Sequence, residues 1–308
     1  MVSGTEMAMK NILPFQHRLK QGIFPVDYFV LIYSLLMAAI SIVFNQTLAK
    51  PWWFLTCNLA IISLLLYLIY YENRDFGTVH YWLHTWLPII TFMFYYTQST
   101  FSDNLIFNET FDPVLQHWDN LLFGFQPNQT LAPAVNSMLV NETMHLFYFS
   151  YYLLLFIPGT IMLLNRRPKT HEMIFTLTIM MYVHYIIFIL FPGDGPVLER
   201  PDIFSGGLLF IPIMNFIYSI DGFQGGGAFP STHVTSTVII FLYSFNEFKS
   251  KRRLIQLWSA GIVIATVYCS YHYAVDAIAG LITGTMFYFI GRYLYSIWDH
   301  PAELPAEL

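Results

Sequence analysis

Two short stretches carry residues able to do chemistry. GGGAFPSTHV runs from Gly225 to Val234, and YHYAVD runs from Tyr271 to Asp276. In the second, His272 and Asp276 stand four residues apart, a spacing that puts them on one helix face. A carboxylate there fixes the tautomer of the imidazole and raises its basicity, the orienting half of a catalytic triad. His233 in the first stretch supplies a proton donor, so a nucleophile, an orienting group and an acid are all present. Phosphoryl transfer suits such a set, because one histidine can accept the phosphoryl group while the other protonates the leaving oxygen. Each stretch opens an apolar segment. Two helix N-termini with free N–H groups would attract an anion there. Pro230 would start the first helix, and Ser231 or Thr232 would cap it. Gly225, Gly226 and Gly227 would let backbone approach a ligand closely.

A metal site is the other chemical reading of two histidines and an aspartate, but no third close ligand is visible. His17, His80, His84, His117, His171 and His300 read as polar interface residues. His145 and His184 lie in or near apolar segments and read as hydrogen-bonded structural groups. Cys57 and Cys269 fall in different apolar segments and read as buried thiols.

The elements positioning these residues must lie in a membrane. Of the 308 residues, 56% are hydrophobic and 11% charged, against about 25% charged in soluble domains. The net charge of −5 says little, and no basic patch could follow a nucleic acid backbone. The pattern predicts an all-α integral membrane protein with about eight spans. They cover Tyr28–Phe44, Trp52–Tyr71, Trp82–Phe101, Met144–Leu164, Glu172–Phe191, Ser231–Phe245, Leu254–Ser270 and Tyr273–Ile297. With both termini cytoplasmic, all but Lys50 and Arg200 of the 14 lysines and arginines fall inside, as the positive-inside rule requires. Both histidine stretches then open on the extracytoplasmic face. The polar segment 1–26 lacks the features of a cleaved signal peptide, so the first span reads as an uncleaved anchor.

The expected layout is a cytoplasmic segment 1–26, two additional spans in 27–80, a six-helix core in 81–298 and a cytoplasmic tail 299–308. The outside loop 102–141 carries an apolar stripe from Phe111 to Phe125 at helical spacing. It reads either as a helix on the outer membrane face or as a small helix packed on the bundle. Leu208–Ile220 is apolar but too short to cross, with Pro212 interrupting it, and reads as re-entrant or interfacial. Sequons at Asn45, Asn108, Asn128 and Asn141 all fall outside. They point to a glycoprotein of the ER or Golgi with a luminal site; a bacterial inner membrane with a periplasmic site is the alternative.

With these residues assembled, the chain resembles the PAP2 superfamily of lipid phosphatases and phosphotransferases. That superfamily carries KxxxxxxRP, PSGH and SRxxxxxHxxxD. The second motif is similar to Pro230-Ser231-Thr232-His233, and the third to TVYCSYHYAVD, ending in His272 and Asp276. The resemblance covers roughly Tyr81 to the C-terminus. It implies His272 as nucleophile, Asp276 as its orienting carboxylate, His233 as acid, a phosphohistidine intermediate and no metal or other cofactor. It also implies that Ser231, Thr232 and Gly227 help hold the phosphate. The motif arginine falls at Thr266 and the motif lysine at Gly193, leaving Arg200-Pro201 of the first motif. A site so poor in cations suits a singly charged phosphodiester better than a phosphomonoester, which carries about −1.5 to −2 near neutral pH. That pattern is similar to the branch of inositol phosphorylceramide and sphingomyelin synthases, with Arg200 as a substrate-binding residue. The implied partners are a phospholipid donor and a ceramide-like lipid alcohol acceptor, with a further membrane subunit left open. A phosphatase using water, and a non-catalytic scaffold or transporter, are the alternatives. Asp194, in a Gly-Asp-Gly turn, reads as turn chemistry.

Overall fold

The computed structural model describes residues 22–71, 76–219 and 225–298. Lys10, His17, Arg18 and Lys20, the linker residues 72–75 with Arg74, Ile220, and the tail from 299 with His300 lie outside the described residues. The described residues are helical with no strand. The chain divides into two compact units, Met1–Phe92 and Met93–Leu308.

The first unit holds α1 (Pro25–Val43), α2 (Pro51–Tyr70) and α3 (Val79–Ile90). Proline in the first turn starts α1 and α2, where its missing N–H costs nothing. The two helices pack together. Their outer faces leave Ile32, Val43 and Trp52 more than half exposed, as helices bathed in lipid do. His84 makes a polar contact between α1 and α3. It is fully buried, with Nε2 3.1 Å from an Asp27 carboxylate oxygen, because a buried carboxylate at the α1 N-terminus needs a partner. His80 Nε2 lies 2.8 Å from the Leu68 carbonyl. Cys57 is free.

The second unit begins within α4 (Phe92–Thr100). The expected span Trp82–Phe101 is therefore two helices, broken at Thr91 just after Pro88, where proline removes a helical donor. Next come α5 (Asp112–Phe123), α6 (Pro127–Val135), α7 (Met138–Phe149), α8 (Tyr151–Leu164) and α9 (Lys169–Leu190). They are followed by α10 (Phe210–Ser219), α11 (Thr232–Glu247), α12 (Arg252–Tyr268) and α13 (Ala274–Trp298). By length and composition α1, α2, α9 and α13 can each cross a membrane. The α7–α8 pair, bent by 46°, makes a fifth candidate. α11 and α12, at 16 and 17 residues, are shorter. Pro212 does not interrupt the 208–220 segment. It lies in the first turn of α10, where proline is tolerated. Glu142 caps that turn, accepting from the N–H groups of Leu208, Leu209 and Phe210.

α11 packs against α9, α12 and α13. The α11–α13 contact is close because α13 offers glycine at i and i+4. A Cβ on Gly280 would lie 2.9 Å from the Ser231 carbonyl, and one on Gly284 2.8 Å from that of Thr235. Small residues at this spacing let backbones approach in a membrane. The pair lies in the sequence as GLITG, Gly280 to Gly284. Gly280→Ala is expected to destabilise the fold by about 1–3 kcal/mol through overpacking, read as a lowered midpoint of thermal unfolding in detergent. At the far end of the bundle Glu172 takes Arg292 at 3.2 Å, the Tyr243 hydroxyl at 3.0 Å, and Lys169.

The sequons part company. Asn108 is exposed. The Asn128 side chain is buried and donates to Glu199 at 3.2 Å, and Asn141 accepts from the Tyr268 hydroxyl at 2.7 Å. A glycan on Asn128 has no room in the folded chain.

Candidate active site

His233 stands in the first turn of α11. Ser231 is the N-cap, with extended backbone (φ −62°, ψ 109°), and its hydroxyl accepts from the Val234 N–H at 3.3 Å. Pro230 precedes the cap instead of opening the helix. Ser231 also donates its backbone N–H to the Asp276 carbonyl at 3.2 Å, which ties the mouths of α11 and α13 together.

His272 lies in the turn between α12 and α13, one residue before the helix cap, so it does not share a helix face with Asp276. The backbone N–H groups of Tyr271 and His272 both return to the Thr266 carbonyl at 3.1 Å. Asp276 sits in the first turn of α13 and accepts from the Tyr273 N–H at 2.9 Å, capping its own helix. The same oxygen, Oδ2, lies 3.4 Å from His272 Nδ1, while the Ala228 carbonyl lies 3.1 Å from that nitrogen. Two acceptors thus hold the proton on Nδ1 and leave Nε2 with its lone pair. Nε2 is 3.4 Å from His233 Nδ1, a contact that requires the His233 nitrogen to carry the hydrogen. A ring nitrogen with its lone pair thus faces a ring N–H.

Aromatic rings pack against His233. Its ring stacks on Tyr148 (centroids 4.9 Å, 27°) and lies 4.3 Å from Tyr151. Tyr148 stacks on Tyr271 at 3.7 Å and 9°. Tyr271 in turn carries the Arg200 guanidinium 4.0 Å from its ring centroid. Arg200 is buried and donates to the Cys269 carbonyl at 2.9 Å, to Asn215 at 3.3 Å and to His145 Nε2 at 2.9 Å. It thus sits behind Tyr271, away from His233 and His272. Burial made a paired guanidinium cheaper than a free one. Cys269 is buried and free.

A cavity of about 20 Å³, room for one water-sized group, opens beside the histidines. Its lining includes His233, His272, Gly227, Asp194 and the rings of Tyr96, Tyr148, Tyr218 and Tyr271. Among the sequence-expected residues, His233, His272 and Gly227 meet at this cavity. Asp276 stands behind His272. Ser231 and Thr232 are buried in the α11 cap, and Arg200 behind Tyr271, none of them lining it. Gly227 has φ +71°, and a Cβ there would lie 2.8 Å from the Tyr96 ring, so the backbone path needs glycine. His145 and His184 are hydrogen-bonded structural groups, as their positions suggested; His184 Nδ1 meets the Met180 carbonyl at 2.9 Å. Among the described residues no cluster of three His, Cys, Asp or Glu side chains could hold a metal ion.

Sequence reasoning missed the tyrosines and set Asp194 aside. The tyrosines left one trace, since Tyr148, Tyr151 and Tyr271 flank His145 and His272 in the chain. Asp194 has its carboxyl pushed up to about 6 by burial and by nearby Asp112. Asp103, close to it, is pushed up to about 7 by burial and by Asp194 itself. The expected anion site at the α13 mouth is also revised. The N–H groups of Ala274 and Val275 are taken by Asp119, at 3.0 and 2.8 Å.

The family model of the PAP2 superfamily matches residues 114–290, more than half of the chain. No curated protein and no solved structure gives a match.

Proposed function

Because the chain belongs to the PAP2 superfamily, we propose that it is a membrane phosphotransferase that moves a phospho-headgroup from a phospholipid to a ceramide-like lipid alcohol. His272 Nε2 attacks phosphorus, and the bond from phosphorus to the diacylglycerol oxygen breaks. That oxygen takes the proton from His233 Nδ1, leaving a phosphohistidine on His272. The acceptor hydroxyl then gives its proton back to His233 as its oxygen displaces His272 from phosphorus. His233 must turn aside to admit the phosphate, since the two ring nitrogens start in contact. The proposal keeps the eight-span topology with cytoplasmic termini and an extracytoplasmic site.

One observation carries the choice of substrate. Among the described residues, none of the side chains lining the cavity is a lysine or arginine, and Asp194 is among them. A dianionic monoester would meet a carboxylate and no fixed cation. A diester, with a single charge, suits that lining better. Hydrolysis is the second reading, favoured by a cavity that admits a water.

Purified protein in detergent, offered a phosphodiester lipid and a phosphomonoester in parallel, with and without ceramide, tests this. Product requiring diester and acceptor together supports transfer; free phosphate from the monoester overturns it. Asp194 gives a pH signature. Above about pH 6 its charge opposes an anionic substrate, so KM is expected to rise with pH through that region. Asp194→Asn is expected to flatten the rise, measured from KM between pH 5 and 8.

A further inference from the structure

Three buried or half-buried polar side chains on α5 point toward the catalytic loops, and the catalytic chemistry above does not use them. Asp112, Gln116 and Asp119 recur at i, i+4 and i+7 and so share one face. Asp112 accepts the N–H groups of Asp194 and Gly195, each at 2.8 Å. Gln116 donates to the Tyr273 hydroxyl at 3.0 Å. Asp119, fully buried, accepts from Ala274 and Val275. Leu115, on the same face, packs with Tyr273 and Val275. Beside the helix, the Phe111 N–H bonds the Pro192 carbonyl at 2.7 Å.

We propose that α5 is a strut that positions the catalytic loops, with Asp112, Gln116 and Asp119 as positioning residues. The inference rests on the phosphotransfer reading. Two loops that meet only in the folded chain, 192–195 and 272–275, are pinned to one rigid helix. The grip on Asp119 lies two and three residues after His272, close enough to set the direction of its Nε2. A carboxylate at the N-terminus of α13 also satisfies two N–H groups and the helix dipole there. The phosphate is thereby directed to the α11 mouth, where His233 stands. The residues α5 turns outward, Leu121 and Leu122, are exposed.

The test compares Asp119→Ala, Asp119→Asn and Gln116→Ala with wild type and with Leu121→Ser. Two quantities are read: amide hydrogen exchange over residues 271–277, and kcat and KM for headgroup transfer. The strut predicts faster exchange at Ala274 and Val275 and a kcat about ten- to a hundredfold lower, the scale of a misplaced reacting group. KM should stay within about threefold, because the loss falls on the transition state. Asp119→Asn, keeping one acceptor oxygen, should fall between Asp119→Ala and wild type, and Leu121→Ser should match wild type. Folded Asp119→Ala with wild-type exchange and kcat overturns the strut, as does a change confined to KM. If Asp119→Ala does not fold, wild-type values in both Asp119→Asn and Gln116→Ala overturn it equally. If wild type transfers no headgroup, the functional reading fails by itself and the exchange measurement still decides the strut.

Discussion

His272→Ala is expected to abolish headgroup transfer, with a loss of at least about a thousandfold in kcat, as for removal of a nucleophile in other covalent enzymes. The same change should eliminate acid-labile phosphate on the protein after brief exposure to labelled diester. Both follow from geometry. The Ala228 carbonyl and Asp276 share the Nδ1 proton, so Nε2 alone is free to attack. Retention of labelled phosphate in His272→Ala would sink the assignment. The two acceptors on Nδ1 carry a corollary. Removing the Asp276 carboxylate leaves the carbonyl in place, so the tautomer survives better than in a triad with a lone aspartate.

The second large effect separates acid catalysis from mere positioning. His233→Gln is expected to lower transfer from a diacylglycerol phosphodiester by about 10²–10⁴-fold, the usual worth of a general acid. Formation of the phosphoenzyme from a nitrophenyl phosphodiester should be affected far less, because a nitrophenolate leaves without a proton. Burst kinetics with the two donors measure this. Equal losses on both would mean that His233 serves to hold the substrate or His272 and does not donate a proton. The stack of Tyr148 against His233 gives the imidazole a fixed plane, which suits a donor that must meet one oxygen.

Much of the site was legible because its signals are local. Two histidines, a capping serine and an aspartate three residues after the cap of α13 occupy short contiguous stretches. Their spacing alone placed them at helix mouths. The Nδ1 partnership of His272 was only half legible. Asp276 stands in the same stretch, but the Ala228 carbonyl comes from 44 residues away. The α5 stripe shows a further limit. Periodicity found the helix and its apolar stripe, of which Phe111, Leu115 and Trp118 pack on the fold, but it did not show the polar residues that dock beside them. Asp112, Gln116 and Asp119 turn inward with Leu115, because loop N–H groups needed acceptors, while Leu121 and Leu122 turn outward. A hydrophobic pattern says which side is apolar; it does not say which unsatisfied backbone groups wait nearby.

Composition by itself determined the membrane class, and two short motifs determined where the candidate site would sit. Only the tertiary structure decided how the charges are spent. It withdrew Arg200 behind Tyr271, filled the α13 mouth with Asp119 and brought Asp194 to the cavity. The physical reason is that membrane burial and a helix cap depend on residues near in sequence. The pairing of a buried charge depends on whichever partner packing carries to it, here from 69 residues away for Arg200 and Cys269 and from 155 for Asp119 and Ala274.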